Sequence, residues 1–330
     1  MQEVVVAVPV RACDVGGWTD TWFAGTGRVC SLALGPGVTV RAEPTGDGRV
    51  EVHLPDLGDR FHLDDVPDRH RLVAESVHEA DPADGLGVRL TVSAAVPPAT
   101  SLGTSGAVCV GVIAAVDALV RGEIRPPGAL AEAAHRVEVQ RLGRQSGVQD
   151  QFAAAHGGAN VVDVDYPSAT VTPVVLDPAV REALDDRLLH VAYGGPHDSS
   201  AVHEQVIAEL EREGTGARRL ERLRELAGEA ASALAAGDLA RWGAALTAAT
   251  ETQRSLHAAL VSGGAQALIE LARSAGALGW KVNGAGGACG SLSVLCADGD
   301  QRWRLAEAVR PLGQPLELRI ADRGAHVVGA

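Results

Sequence analysis

Short apolar runs separated by turn-forming residues fill the first fifty positions of the chain. Val4 to Val8, Val29 to Leu34, Val38 to Ala42 and Val50 to Leu54 each read as a strand. Residues 69–80 read as a helix and Val88 to Val96 as a further strand, stopped by Pro97-Pro98 because proline cannot continue a ladder. A small-residue loop at 99–104 opens an apolar helix from Ser105 to Val120, and a second helix is predicted from Gly128 to Leu142. Strands at Ala159 to Val164 and Leu188 to Tyr193 follow. From Ala201 to Gly276 the pattern is helical, broken at Gly214-Thr215-Gly216, Gly237-Asp238 and Gly263-Gly264. The tail returns to strands at Lys281 to Asn283, Ser291 to Cys296 and Leu316 to Ile320. Strands, then helices, then strands predict an α+β chain of two lobes that meet near residues 180–200.

With 330 residues and 46% apolar composition, the chain can bury a large core; with 3% aromatics, that core must be built from Ala, Val and Leu. A net charge of −13 opposes a phosphate backbone, so no nucleic-acid partner is expected. Cys13, Cys30, Cys109, Cys289 and Cys296 are scattered, odd in number and without CxxC spacing. They predict thiols in a reducing compartment rather than a disulfide framework or a zinc site. Met1 to Pro9 lacks the basic start and apolar length of a signal peptide, and no apolar stretch of about 18 residues runs without a charge or glycine break. A cytoplasmic protein without a membrane partner is the expectation, as a monomer or homodimer.

Three glycine-rich constellations carry candidate chemistry. Between a strand and a helix lies Val96-Pro97-Pro98-Ala99-Thr100-Ser101-Leu102-Gly103-Thr104-Ser105-Gly106. Small residues admit an anion close to the backbone, the helix start supplies unpaired N–H groups, and the Thr104 and Ser105 hydroxyls can reach a phosphate or a metal-bound oxygen. The segment is not a Walker A loop, and alone it fits an ordinary capped strand-to-helix turn equally well. In Arg144-Gln145-Ser146-Gly147-Val148-Gln149-Asp150-Gln151-Phe152, Asp150 could accept a proton from a substrate hydroxyl or orient it. Upstream Glu138, with hydroxyls, could form a hard-cation site, though an isolated Glu beside Arg136 and Arg141 also fits a solvated helix face. The third constellation, Lys281-Val282-Asn283-Gly284-Ala285-Gly286-Gly287-Ala288-Cys289-Gly290, is either a glycine-rich hairpin or a loop that lies against phosphates or braces the first.

Taken together and in order, the three resemble the GHMP kinases, whose signature is an N-terminal substrate motif, a central PxxxGLGSS loop and a C-terminal KxxGAGxGG loop. Here these are Pro9 to Asp20, Pro97 to Ala107 and Lys281 to Gly290. Within that family, Arg11-Ala12-Cys13-Asp14-Val15-Gly16-Gly17-Trp18-Thr19-Asp20 and Gly147-Val148-Gln149-Asp150-Gln151-Phe152 with Gly157-Gly158 resemble the heptose 7-phosphate kinase and fucokinase-like branch. Gln253 and Lys281 also fall where that branch has similar residues. There are departures: the paired serines are half kept, Ala288 interrupts a glycine run, the lysine of GKQD is absent, and His197 stands where relatives often carry arginine.

The resemblance implies a two-lobed GHMP kinase fold, with an N-terminal ribosomal-protein-S5-like α/β domain over 1–185 and a C-terminal ferredoxin-like α+β domain over 186–330. It implies ATP and Mg²⁺, and phosphorylation of a sugar or sugar phosphate at the anomeric oxygen, with a heptose 7-phosphate the leading acceptor and a free sugar the alternative. A catalytically inactive sugar or nucleotide sensor is the reading of another class. ATP would contact Pro98, Thr100, Ser101, Leu102, Gly103, Thr104, Ser105, Gly106, Gly284, Gly286 and Gly287. Mg²⁺ would sit on Ser105 and Glu138. Asp150 and Arg11 would act on the transferred group. Gly17, Trp18, Thr19, Asp20, Gln149, His197 and Arg28 would hold the sugar.

Overall fold

A computed structural model describes residues 2–81, 85, 87–194, 200–213 and 217–329, without the side chains of 200–203. In chain order the elements are β1 (Val4–Val15), β2 (Thr26–Thr45), β3 (Val50–Leu54), β4 (Asp59–His62), α1 (Arg71–Ala80), β5 (Gly87–Ala94), α2 (Thr104–Arg121), α3 (Pro127–Arg136), α4 (Gln149–His156), β6 (Ala159–Asp165), β7 (Ser168–Pro173) and α5 (Pro178–Arg187). They continue as β8 (Leu188–Tyr193), α6 (Ser200–Glu213), α7 (Arg218–Ala235), α8 (Leu239–Leu256), α9 (Gly263–Ser274), β9 (Gly279–Val282), β10 (Gly290–Leu295), α10 (Gly299–Val309), β11 (Gln314–Leu316), β12 (Arg319–Ile320) and β13 (His326–Val327).

Two sheets organise these elements. The larger runs β13-β1-β2-β5-β3-β4, with β12 and the β6–β7 pair also joined to β2; the smaller runs β11-β8-β10-β9. The runs Val29 to Leu34 and Val38 to Ala42, read above as two strands, are one continuous β2, paired to β6 over its first half and to β5 over its second. Leu316 to Ile320, read as one strand, is divided. Leu316 pairs with His190 in the small sheet, and Ile320 pairs with Leu34 in the large one. The apolar pattern cannot show this division, because both halves bury alternate residues. β4, β7, β13, α4, α5 and α10 were not read from the pattern.

Helix α2 lies on the large sheet, where a Cβ at Gly111 would meet Val40 at 2.9 Å and Val8 at 3.1 Å. It is long and apolar enough to span a bilayer by length and composition, although Gly106, Gly111 and Asp117 interrupt it, and 72% of it is buried within the fold. It is therefore the central core helix, and a helix apolar on all sides is what burial on all sides selects. Val6, Val38, Ile113, Leu226, Trp242 and Leu246 belong to one core with it, so α7 and α8 share that core with β1 and β2. A second core packs β8 and β10 against α9 through Leu189, Val191, Leu268, Ile269 and Leu292. All five cysteines are buried and none forms a disulfide.

Candidate active site

The end of β1 turns into the large sheet and delivers Arg11 and Asp14, both buried. Arg11 donates from Nε to Asp150 Oδ1 at 2.7 Å and from Nη1 to the Ser101 carbonyl at 2.6 Å. Its backbone N–H donates to the Leu102 carbonyl at 2.9 Å. One residue thus holds both the glycine-rich loop and the carboxylate of α4. The contact is reciprocal: a Cβ at Gly106 would lie 2.9 Å from Asp150 Cβ, and one at Gly103 would lie 3.0 Å from Asp150 Cγ. Only glycine lets the loop come this close to Asp150.

The loop itself is folded in an unusual way. Ala99, Ser101 and Gly103 have φ of +60°, +56° and +73°, every second residue in the left-handed region. Two of the three carry a Cβ and are strained there. Alternation of this kind turns successive N–H groups toward one concavity, the geometry of an anion nest, directly before the N-terminus of α2. Thr104 and Ser105, half-buried, form the first turn of that helix.

Helix α3 does not run on to Leu142 as predicted. It widens into a π-helical turn over Val137–Arg141, a widening that recurs at functional sites. This turn carries Glu138 inward to 3% exposure. Ser146 Oγ donates to Glu138 Oε2 at 3.0 Å, Gln151 Nε2 donates to the same oxygen, and the nearby Ser105 hydroxyl acts to lower the carboxylate's pKa. The nearest cation, the half-exposed Arg144, stands 3.7 Å away. Burial raises the Glu138 pKa. A buried carboxylate held by neutral donors, with one half-exposed guanidinium at 3.7 Å and the first turn of α2 beside it, can offer an oxygen to a hard divalent cation.

Beside Asp150 opens a cavity of about 360 Å³, within the range of small-ligand sites, lined by Arg11, Trp18, Asp20, Trp22, Phe23, Ser146, Gln149, Asp150, Glu204, Ile207 and Gly284 among others. Asp20 is 2% exposed and accepts from the Gln149 N–H at 3.1 Å and from Gln149 Nε2 at 3.3 Å. Burial lifts its pKa to about 6, against the lowering effect of the Gln149 N–H. Gly147 is glycine because a Cβ there would collide with the Asp20 carboxylate.

A buried network joins the first and third constellations through Arg11 and Asp14, in keeping with the reading of the third as a brace for the first. Asp14 accepts the Gly284 N–H at 3.0 Å and stands 3.7 Å from Lys281 Nζ and 3.9 Å from Arg11 Nη1. Lys281 donates to Gln253 Oε1 at 2.8 Å, and Gln253 Nε2 donates to the Gly284 carbonyl at 3.0 Å. Asn283 accepts the Cys13 N–H at 2.9 Å and donates to Ser291 and Ser293. The sequence signals were that Lys281 is the only lysine of the chain and that Gln253 and Lys281 match the branch it resembles. Through this network Gly284 is brought so close to the first loop that a Cβ would lie 2.9 Å from the Ser101 carbonyl.

Several assigned residues lie elsewhere. Arg28 is half-exposed and bonds Asp163 at 2.6 Å across the β2–β6 pair, away from the cavity. Thr19 is fully buried, its hydroxyl donating to the Gly16 carbonyl at 2.7 Å and accepting from the Arg28 N–H at 3.1 Å; it shapes the turn. Gly17 lets that turn wrap Asp14, whose Oδ2 would lie 2.8 Å from a Cβ there. The side chain of Leu102 is core, and the Thr100 hydroxyl is spent on the Pro97 carbonyl at 3.1 Å. Gly286 and Gly287 pack against the Leu260 carbonyl rather than on the first loop. Pro98 lies exposed on the loop. His197 lies outside the described residues.

Comparison with known proteins supplies the frame for this geometry. Residues 70–158 match the family model described as the GHMP kinases N terminal domain, and residues 230–310 match the GHMP kinases C terminal model. The chain is 26% identical, over 94% of its length, to a bifunctional fucokinase/GDP-fucose pyrophosphorylase of Arabidopsis thaliana, of which it spans 31%. It is 28% identical, over 91% of its length, to a mevalonate kinase of Aeropyrum pernix, of which it spans 88%. Among solved structures, a D-glycero-D-manno-heptose 1-phosphate kinase from Bacteriodes thetaiotaomicron superposes with a TM-score of 0.77, at 18% identity and 99% coverage of both chains.

Proposed function

The chain belongs to the GHMP kinases, a family of ATP-dependent phosphotransferases, and from that premise we propose that it transfers the γ-phosphoryl group of ATP to the anomeric hydroxyl of a sugar. One observation carries the reading: Arg11 and Asp150 line the cavity and are bonded to each other, and the loop that ends at the start of α2 packs on both, with Ser101 bonded to Arg11 and Gly103 and Gly106 against Asp150. A donor phosphate over residues 99–106 and an acceptor hydroxyl beside Asp150 are then neighbours. Catalysis of phosphoryl transfer comes largely from such positioning and from charge compensation.

Each residue has a part in this scheme. N–H groups of the loop and of the first turn of α2 receive the phosphates. Asp150, fixed by Arg11, orients the acceptor hydroxyl and accepts its proton. The Arg11 guanidinium offsets charge on the phosphoryl group in transfer. Asp20 and Gln149 hold the sugar hydroxyls. Ser105 and Glu138 would hold Mg²⁺, which when bound neutralises charge on the phosphate oxygens. Loss of Asp150 or Glu138 would favour the inactive-sensor reading, and both residues are present.

The test is purified protein with Mg·ATP and a panel of sugars, read by phosphorus NMR. A new anomeric phosphate signal is expected, with Asp150→Asn lowering kcat by about 10²- to 10⁴-fold at unchanged ATP binding. A protein that binds ATP but phosphorylates no sugar would refute the proposal.

A further inference from the structure

We infer that Lys281 is a positioning residue for phosphoryl transfer: by holding Asp14 from one side, it keeps that buried carboxylate from drawing Arg11 away from Asp150. This rests on the kinase reading above and adds to it a residue that the scheme does not use.

Four charges of alternating sign stand in a row. Lys281 Nζ lies 3.7 Å from Asp14 Oδ1, Asp14 Oδ1 lies 3.9 Å from Arg11 Nη1, and Arg11 Nε donates to Asp150 Oδ1 at 2.7 Å. Arg11 thus has a carboxylate on either side and is hydrogen-bonded to one of them. The bonded one, Asp150, is the more exposed, its side chain at 25% against 0% for Asp14. Burial alone favours the opposite choice, because a charge withdrawn from water depends most on a counter-ion. Other groups must therefore satisfy Asp14.

Two groups do so. Both Asp14 oxygens lie 3.0 Å from the Gly284 nitrogen, whose N–H they share, and Lys281 supplies the charge. Lys281 is 2% exposed and is fixed by donating to Gln253 Oε1 at 2.8 Å and to the Val282 carbonyl. With the charge of Lys281 removed, Arg11 is the remaining cation within 4 Å of Asp14 among the described residues. A movement of about 1 Å brings Nη1 into hydrogen-bond range of Asp14, at the expense of its bond to the Ser101 carbonyl and of the Nε bond to Asp150. A misplacement of this size in a reacting constellation costs up to about 100-fold in rate. Removing the charge of Asp14 does the reverse: Asp150 is then the one carboxylate within 4 Å of Arg11, and the unpaired Lys281 repels Arg11 toward it. Each substitution leaves one buried charge without its partner and so destabilises the fold, but the two act oppositely on Arg11.

The experiment compares the full-length parent with Lys281→Met, Asp14→Asn and the variant carrying both, at a temperature where circular dichroism shows all four folded. Steady-state ADP release is read with Mg·ATP and the sugar that the parent phosphorylates. Heteronuclear NMR follows the Arg11 Nε–H resonance, assigned by its loss in Arg11→Lys. Lys281→Met is expected to lower kcat at least about tenfold, with KM for ATP and for the sugar within about threefold of the parent. Asp14→Asn and the double variant should keep kcat within about threefold, so that neutralising Asp14 restores what neutralising Lys281 removed. The Arg11 resonance should move in Lys281→Met and return in the double variant. Where Lys281→Met does not fold, Lys281→Gln takes its place with the same expectation. Equal loss of kcat in Lys281→Met and Asp14→Asn, or no loss in Lys281→Met, overturns the inference and leaves the kinase reading standing. A parent that phosphorylates no sugar overturns the kinase reading, and an Arg11 resonance unmoved by Lys281→Met then overturns the inference as well.

Discussion

Replacing Asp14 by Asn tests whether the buried network that joins the first and third constellations is held by charge. Asp14 is fully buried, and Lys281 and Arg11 beside it are 2% and 4% exposed. The neutral amide leaves Lys281 as a buried cation without its carboxylate. Removing one partner of a buried ion pair costs about 3–5 kcal/mol. At an unfolding entropy of about 2.1 cal/mol/K per residue, a chain of this length loses about 4–7 °C in Tm for that cost. The pH dependence distinguishes charge from packing. Burial depresses the Lys281 pKa, Asp14 opposes that depression, and Arg11 adds to it. A lysine with a depressed folded-state pKa destabilises the fold while protonated, and the penalty fades as pH rises from the folded value toward the ordinary lysine value of about 10.4. Without Asp14 the depression deepens. Thermal melts followed by circular dichroism should therefore show the D14N deficit in full at pH 7 and at less than half by pH 10. Adding Lys281→Met should recover most of it at pH 7. A deficit below 1 °C, or one that is the same at both pH values, would refute the reasoning.

Three further outcomes are expected. Glu138→Gln removes a buried charge whose nearest cation is 3.7 Å away; the metal-free variant should melt no lower than the parent, while half-saturating Mg²⁺ in the kinase assay rises at least about tenfold. Because burial sets the Asp20 pKa at about 6, acidification through pH 6 converts an acceptor into a donor; KM for the sugar should rise there with KM for ATP unchanged, and Asp20→Asn should flatten the profile. Arg28→Ala breaks a half-exposed pair, worth about 0.2–1 kcal/mol, and should leave kcat/KM within twofold, as measured by ADP release.

The sequence was most legible where one chemical need dictates a run of residues. Strand periodicity located most of the strands, and the three small-residue runs marked the segments that meet at Arg11, Asp150 and Gly284. It was least legible where the same residue type serves two ends. Thr19, Leu102 and Gly286 sit inside motifs that face a ligand, yet a turn, a core and a close backbone contact use the same small or apolar side chains. Ala99 and Ser101 gave no sign of their left-handed conformation, since that geometry normally announces itself through glycine. The inward turn at Glu138 depends on one widened helical turn that no periodicity reports. The Asp14–Lys281 contact joins residues far apart in the chain, each of which alone reads as an ordinary charge.

The pairing of β1 has a consequence for how the chain comes into being. One neighbour of β1 is β2, which follows it directly; the other is β13, whose His326 and Val327 pair with Ala7 and Val6. Between the synthesis of β1 and that of β13 the strand keeps one unpaired edge, and that strand is the one bearing Arg11 and Asp14. A chain halted anywhere before Gly284 has the loop and the base but not the backbone amide that receives Asp14. The active centre is therefore completed only once Gly284, 270 residues beyond Asp14, has been made.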